Sequence, residues 1–263
     1  MPYATANGIQ LYYERLGEGL PVVLVSGLGA DAHFWYRQVP SLSRQFEVIT
    51  LDNRGACRSD KPDEPYTIRM MAGDVAGLLD ALEIPAAHLV GASLGGFIVQ
   101  EFALGYPERT RRVVLCCTSF GGPRSVPIPP QTAEVLLSRT GDPARDLRAF
   151  LAVQFGTDFL QTHPEEIDDY VAWRVAHPQP PFAYQRQLMA ATGHDTESRI
   201  GDWRGPVLIL HGGQDRVVPV ANGELLAQRI AGSRLHVFPD AGHLFLWEQS
   251  SSANQMIAEF LTG

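Results

Sequence analysis

Cysteine is scarce in this sequence: Cys57, Cys116 and Cys117 are the three among 263 residues. No spacing among them makes a disulfide framework or a metal cage, so a reduced, cytoplasmic setting and no metal ion are expected. Long apolar runs are missing too. None approaches the roughly 18 residues that mark a membrane span. The stretch from Met1 to Thr5 has neither the basic start nor the apolar core of a signal peptide. There is no excess of cationic charge either. The net charge of −8 argues against nucleic acid and against an anionic membrane surface as partners. What is present is ordinary for a globular chain, 45% apolar and 19% charged, and is long enough to bury a sizeable core. A small molecule is the partner left, with no organic cofactor called for and a monomer or homodimer expected.

The pattern along the chain alternates strands with helices. Asn7-Gly8 is a hairpin turn signal, and Ile9, Leu11 and Tyr13 alternate with polar neighbours after it. Val22 to Val25, Phe46 to Leu51, His88 to Val90, Arg112 to Cys117 and Val207 to Leu210 read as strands buried on both faces. Helices are expected around Phe34 to Leu42, from Ile68 to Leu82 behind a Thr67 cap, and up to Tyr106 before Pro107. Such alternation implies a parallel sheet covered by helices on both sides. It stops between about residues 121 and 202. That stretch holds only helical patterns, around Thr132–Arg139, Pro143–Phe155, Pro164–Ala176 and Pro181–Ala191, and is read as a helical insertion. The last strand runs from Arg234 to Phe238. Helices are expected near Val220–Ile230 and Ser251–Leu261.

The stretch Gly91-Ala92-Ser93-Leu94-Gly95 joins a buried strand to a helix through a turn that needs small residues. Ser93 then sits in a sharp bend, and the N–H groups of the new helix, Leu94 first, point the same way. In an open parallel sheet, ligands bind beyond the carboxyl ends of the strands. The residues there are Ser26-Gly27-Leu28, Asp52-Asn53-Arg54, Ser93, Ser119, His211 to Asp215, and Asp240 to His243. A serine, an acid and a histidine thus follow one another in chain order. A serine hydroxyl needs a base to take its proton, histidine titrates near neutrality, and a buried acid orients the imidazole. The oxyanion formed by attack needs fixed N–H donors, which Leu28 and Leu94 are placed to supply.

With these stretches in hand, the chain resembles an α/β-hydrolase over nearly its whole length. It is most similar to the bacterial branch of small carboxylesterases and 3-oxoadipate enol-lactonases. The resemblance rests on Ser26-Gly27-Leu28-Gly29 with Trp35, Asp52 to Ser59, Gly91 to Gly96, Gly213-Gln214-Asp215 and Ala241-Gly242-His243. It implies a mostly parallel sheet flanked by helices, with a core of residues 1–121 and 201–263 and a helical lid over 122–200. It implies Ser93 as nucleophile, Asp215 as acid, His243 as base, and Leu28 with Leu94 as the oxyanion hole of an esterase or lactonase. Two departures stand out: Ser26-Gly27 where many relatives have His-Gly, and Cys57 where the family usually has glycine.

Plainer readings compete at other positions. Asp240 is too close to His243 in sequence to reach its ring. His211, Asp52, Arg54 and Ser119 read as packing or loop-tying groups. Glu248 reads as a charge favouring the N-terminus of the last helix. Cys116 and Cys117 read as buried hydrophobes on opposite faces of a strand. Phe155, Phe159 and Trp173, with Phe182 and Tyr184, are candidates for a substrate pocket, against the default of helix core. Cleavage of carbon–carbon or amide bonds, perhydrolysis, a non-turnover receptor on the same fold, and an interaction protein with no active pocket are the alternatives to ester or lactone hydrolysis.

Overall fold

The structure is a computed structural model that describes residues 2–138, 140–156 and 158–263. Its centre is an eight-stranded sheet. The strands are β1 (Tyr3–Ala6), β2 (Ile9–Leu16), β3 (Leu20–Val25), β4 (Phe46–Leu51), β5 (Ala87–Ala92), β6 (Thr110–Cys116), β7 (Val207–Gly212) and β8 (Arg234–Phe238). Their order in space is β1-β2-β4-β3-β5-β6-β7-β8. β1 pairs with β2, and β2 with β4, in antiparallel fashion, and all other pairs are parallel. The chain leaves β3 towards β4 on one side and returns to β5 on the other. The carboxyl ends of β3 and β5 therefore flank the point where the winding reverses.

The apolar runs are continuous because both faces of the sheet are covered. Val23, Val25, Leu89, Leu115 and Ile209 enter one core layer, while Val22, Leu24, Val90, Val114, Leu208 and Leu210 enter the other. That is the two-residue period of a strand, with an apolar residue required at both phases. Helices Ile68–Ala81 and Leu94–Gly105 close the first layer, and helix Ser250–Thr262 closes the second. Thr67 caps the first of these by accepting from Met70 N–H.

Between β6 and β7 lie five helices among the described residues: Pro130–Leu137, Pro143–Ala152, Phe159–Thr162, Pro164–Ala176 and Pro181–Thr192. Four begin at a proline, which loses nothing at a first helical position because that N–H has no acceptor anyway. Arg139, the expected end of the first helical pattern, lies outside the described residues. The helix expected over Phe34 to Leu42 is instead a 3₁₀ turn, Ala32–Trp35, and a short helix, Val39–Leu42. Pro40 restricts Val39 before it and removes a donor, so one continuous helix is not available. No helix among the described residues is long and apolar enough to cross a membrane.

Candidate active site

The bend after β5 is the tightest feature of the fold. Ser93 has φ 55° and ψ −118°, a conformation disfavoured for any residue with a side chain. Its main chain is held on both sides: its N–H donates to the Cys116 carbonyl at 2.9 Å, and its carbonyl accepts from Thr118 Oγ1 at 2.8 Å. The bend exists because the following helix passes close under the sheet. A Cβ on Gly95 would collide with the Val25 carbonyl, and one on Gly91 with the backbone of Gly95 and Gly96. Ser93 is half-buried, with its side chain directed at the loop after β3. A Cβ built on Gly27 would lie 3.8 Å from Ser93 Oγ.

That loop supplies a donor. Ala30 N–H goes to the Gly27 carbonyl and Gly29 N–H to Gln187, which leaves the Leu28 N–H without a protein acceptor among the described residues. Leu94 begins the helix Leu94–Gly105, so its N–H has no intrahelical partner. The two unsatisfied N–H groups stand on the loops that leave β3 and β5, which are neighbours in the sheet.

The acid and the histidine meet across two more loops. The loop after β8 folds back over the end of β7, where Gln214 N–H donates to the Ala241 carbonyl and Gly213 N–H to the Phe238 carbonyl. This places His243 Nδ1 2.8 Å from Asp215 Oδ2, with both side chains almost fully buried. Against an ionised carboxylate the Nδ1–H donates, which leaves Nε2 as the basic nitrogen. Asp215 Oδ1 accepts from the N–H groups of Val217 and Val218, both at 2.8 Å. Burial alone would raise the Asp215 carboxyl, but His243 and His211 outweigh it and hold it down at about 2. Cys117, at the end of β6 between β5 and β7, is fully buried, and its thiol is pushed far up by burial and by the Asp215 charge. It is an apolar filler between the serine and acid loops.

Several neighbours have structural tasks. His211 Nε2 donates to the Val218 carbonyl at 2.8 Å and stands 3.4 Å from Asp215 Oδ2, so it braces the acid's turn. Arg54 grips Asp74 through two nitrogens at 2.8 and 2.7 Å. Asp52 ties Ala32 N–H to the Arg58 guanidinium. Ser119 Oγ accepts from Gly121 N–H.

Glu248 has a task beyond the charge expected to favour the last helix. Its carboxylate accepts from Gly242 N–H at 2.7 Å and Gly156 N–H at 3.0 Å, pinning the His243 loop to the helical insertion. The two cysteines differ from the expectation: Cys117 has φ 42°, the strand alternation breaks there, and both side chains join one core layer. Phe155 and Phe159 stack on each other at 4.8 Å and pack with Trp247 in the core. Phe155 lies between helices Pro143–Ala152 and Phe159–Thr162, and both rings join the core layer on the sheet's second face. Trp173 lies half-buried over the loop after β3, donating to Asp31 Oδ2 at 3.2 Å and packing on His33.

A sequence model of the alpha/beta hydrolase fold matches residues 21–250. The chain belongs to the α/β-hydrolase family. Its relatives in that family are hydrolases of varied substrates, and the protein is a hydrolase of the same kind. A 2-hydroxy-6-oxo-6-phenylhexa-2,4-dienoate hydrolase of Comamonas testosteroni is 31% identical, with 95% of this chain and 91% of the relative aligned. The enol-lactonase from Burkholderia xenovorans LB400 is similar in three dimensions with a TM-score of 0.88, at 30% identity and with all of both chains covered. An N-acyl homoserine lactone degrading enzyme superposes with a TM-score of 0.84 at 28% identity, covering 98% of this chain and 100% of its own.

Gln187 was not singled out from the sequence. The signal was there: in helix Pro181–Thr192 the buried residues are Ala183, Gln187 and Ala190, a polar side chain inside an otherwise apolar stripe.

Proposed function

We propose that the protein is a serine hydrolase of carboxylic esters or lactones. Ser93 Oγ attacks the substrate carbonyl while His243 Nε2 takes its proton. The carbonyl oxygen becomes an oxyanion held by the N–H groups of Leu28 and Leu94. As the tetrahedral intermediate collapses, the carbon–oxygen bond to the leaving alcohol breaks and His243 returns its proton to that oxygen. Water, deprotonated by His243, then attacks the acyl-enzyme, and the carboxylic acid leaves as Ser93 regains its proton. Asp215 stays ionised throughout and stabilises the imidazolium. The observation that carries this reading is the 2.8 Å bond from His243 to a carboxylate held at about 2, beyond the same sheet edge as a serine in a strained bend. The similarity to an enol-lactonase and to a lactone-degrading enzyme supports the substrate class. The helices between β6 and β7 act in this reading as a lid over residues 122–200, on a core of 1–121 and 201–263.

A second reading is favoured by several relatives that hydrolyse 2-hydroxy-6-oxo dienoates. A 2-hydroxy-6-oxo-6-phenylhexa-2,4-dienoate carries no ester, so its hydrolysis breaks a carbon–carbon bond beside the ketone. The same three side chains can serve that reaction.

The test is turnover of short and medium p-nitrophenyl esters, simple lactones and that dienoate by wild type and by Ser93→Ala. Repeated ester or lactone turnover that falls by at least about 10⁴-fold in the variant is the expected result. Turnover of the dienoate alone replaces the ester reading by the second one, and activity unchanged in Ser93→Ala removes both.

A further inference from the structure

Gln187 is fully buried in the middle of helix Pro181–Thr192. Its Oε1 accepts from Gly29 N–H at 3.0 Å and its Nε2 donates to the Arg54 carbonyl at 2.7 Å. A buried amide that satisfies main-chain groups at both ends is fixed in orientation, and losing it leaves buried donors and acceptors without partners. The two main-chain groups belong to the loops leaving β3 and β4, which are neighbours in the sheet. Gly29 directly follows Leu28 and has φ 70°, in a turn that Ala30 N–H closes onto the Gly27 carbonyl, and the Gln187 amide holds the next peptide of that turn. Tyr184, one helical turn before Gln187, lays its ring against Gly29. The loop after β3 therefore takes its position from a helix more than a hundred residues further along the chain.

We propose that Gln187 is a positioning residue that fixes the Leu28 N–H for the oxyanion, so that seating of helix Pro181–Thr192 completes the site. The proposal rests on the serine-hydrolase reading above. Gln187 does not touch the substrate; it acts through the Gly29 peptide. A displaced Leu28 N–H still allows the ester to bind but no longer meets the charge that develops in the transition state.

Gln179 provides the comparison. It comes from the segment just before the same helix and donates to the Gly55 carbonyl at 2.8 Å, while its Oε1 lies against Gly29 with no hydrogen bond among the described residues, so it packs on the same glycine without holding its N–H. The experiment uses the full chain as wild type, Ser93→Ala, Gln187→Met and Gln179→Met. It measures kcat and KM on one p-nitrophenyl ester, and inhibition by a trifluoromethyl ketone of the same acyl length, whose adduct with Ser93 carries the oxyanion. Gln187→Met should lower kcat about tenfold or more and weaken the ketone by a similar factor, while KM stays within about twofold. Gln179→Met should leave kcat and ketone affinity in place.

Equal losses in both glutamine variants, a change confined to KM, or no change in Gln187→Met would each overturn the proposal. If Gln187→Met does not fold, Gln187→Glu keeps the acceptor for Gly29 N–H. It should then hold kcat within a few-fold, and a loss of about tenfold overturns the route through Gly29. Wild-type turnover that Ser93→Ala abolishes and Gln187→Met leaves intact sinks this proposal alone. A wild type that neither turns over esters nor binds the ketone sinks the serine-hydrolase reading as well.

Discussion

Ser93 shows how one residue stores strain at the point where reactivity is proposed. A side chain at φ 55° and ψ −118° costs about 1–3 kcal/mol. The fold bears this because β6 and the loop after it hold the Ser93 peptide groups through Cys116 and Thr118. Glycine adopts the same backbone without penalty. Ser93→Gly should therefore be more stable than Ser93→Ala by about 1 kcal/mol, although both lack the hydroxyl. Urea denaturation of the two variants measures this, and coincident midpoints would mean that the bend is unstrained. At the same scale, Asp215, 28 residues before His243, is the carboxylate that hydrogen-bonds its ring. Sequence position could not reveal that Glu248 grips Gly242 and Gly156, because its nearness to a helix suggested a dipole contact instead.

The strand β5, its turn and the helix Leu94–Gly105 form one rigid element whose geometry depends on close approach. A methyl group at position 95 meets the main chain of Val25 in β3, which cannot yield without breaking the sheet. Gly95→Ala should cost about 4 kcal/mol or more and leave little soluble folded protein. Gly105, at the far end of the same helix, has open space around its Cα. Gly105→Ala should be neutral or gain up to about 1 kcal/mol by limiting the unfolded chain. Expression level and urea midpoints of the two variants separate crowding from helix propensity. This element was legible because its demands are local: an apolar run, then small residues where the chain reverses. The helices between β6 and β7 were legible as helices from their prolines, but not in their packing. Phe155 and Phe159 could line a pocket or fill a core as far as their spacing shows, and only the tertiary packing, with Trp247 arriving against Phe155, puts them in the core layer.

Across the whole molecule, buried histidines set the response to acid. His88 has no hydrogen-bond partner at either ring nitrogen among the described residues, and burial, reinforced by the cations of Arg111 and Arg112, pushes it down to about 4. His194 is likewise pushed down to about 4 by burial, against a partial pull from Glu101. Both stay neutral in the fold, while in the unfolded chain they take up protons near pH 6.5. The unfolded state then binds more protons between about pH 6.5 and pH 4, so stability is intact above that window and is lost as pH falls through it. Each histidine contributes a slope of up to about 1.4 kcal/mol per pH unit. Urea midpoints followed from about pH 7 to about pH 5 should fall in wild type and fall less steeply in His88→Leu, which also removes two unsatisfied nitrogens. Parallel slopes would show that His88 is not one of the groups responsible.

The sequence by itself determined the elements and the reversal at Ser93. Strand periodicity, proline boundaries and the steric need for glycine act within a few residues, and each is written where it acts. It also carried enough motifs at strand ends to place the chain in the α/β-hydrolase family. Only the tertiary structure decided which polar groups meet. Gln187 reaching Gly29, Glu248 reaching Gly156 and Trp247 closing on Phe155 join segments whose sequences bear no trace of one another. Those contacts follow from where the sheet order and the helices between β6 and β7 place the loops, since hydrogen bonds and packing depend on position in space and not on spacing along the chain.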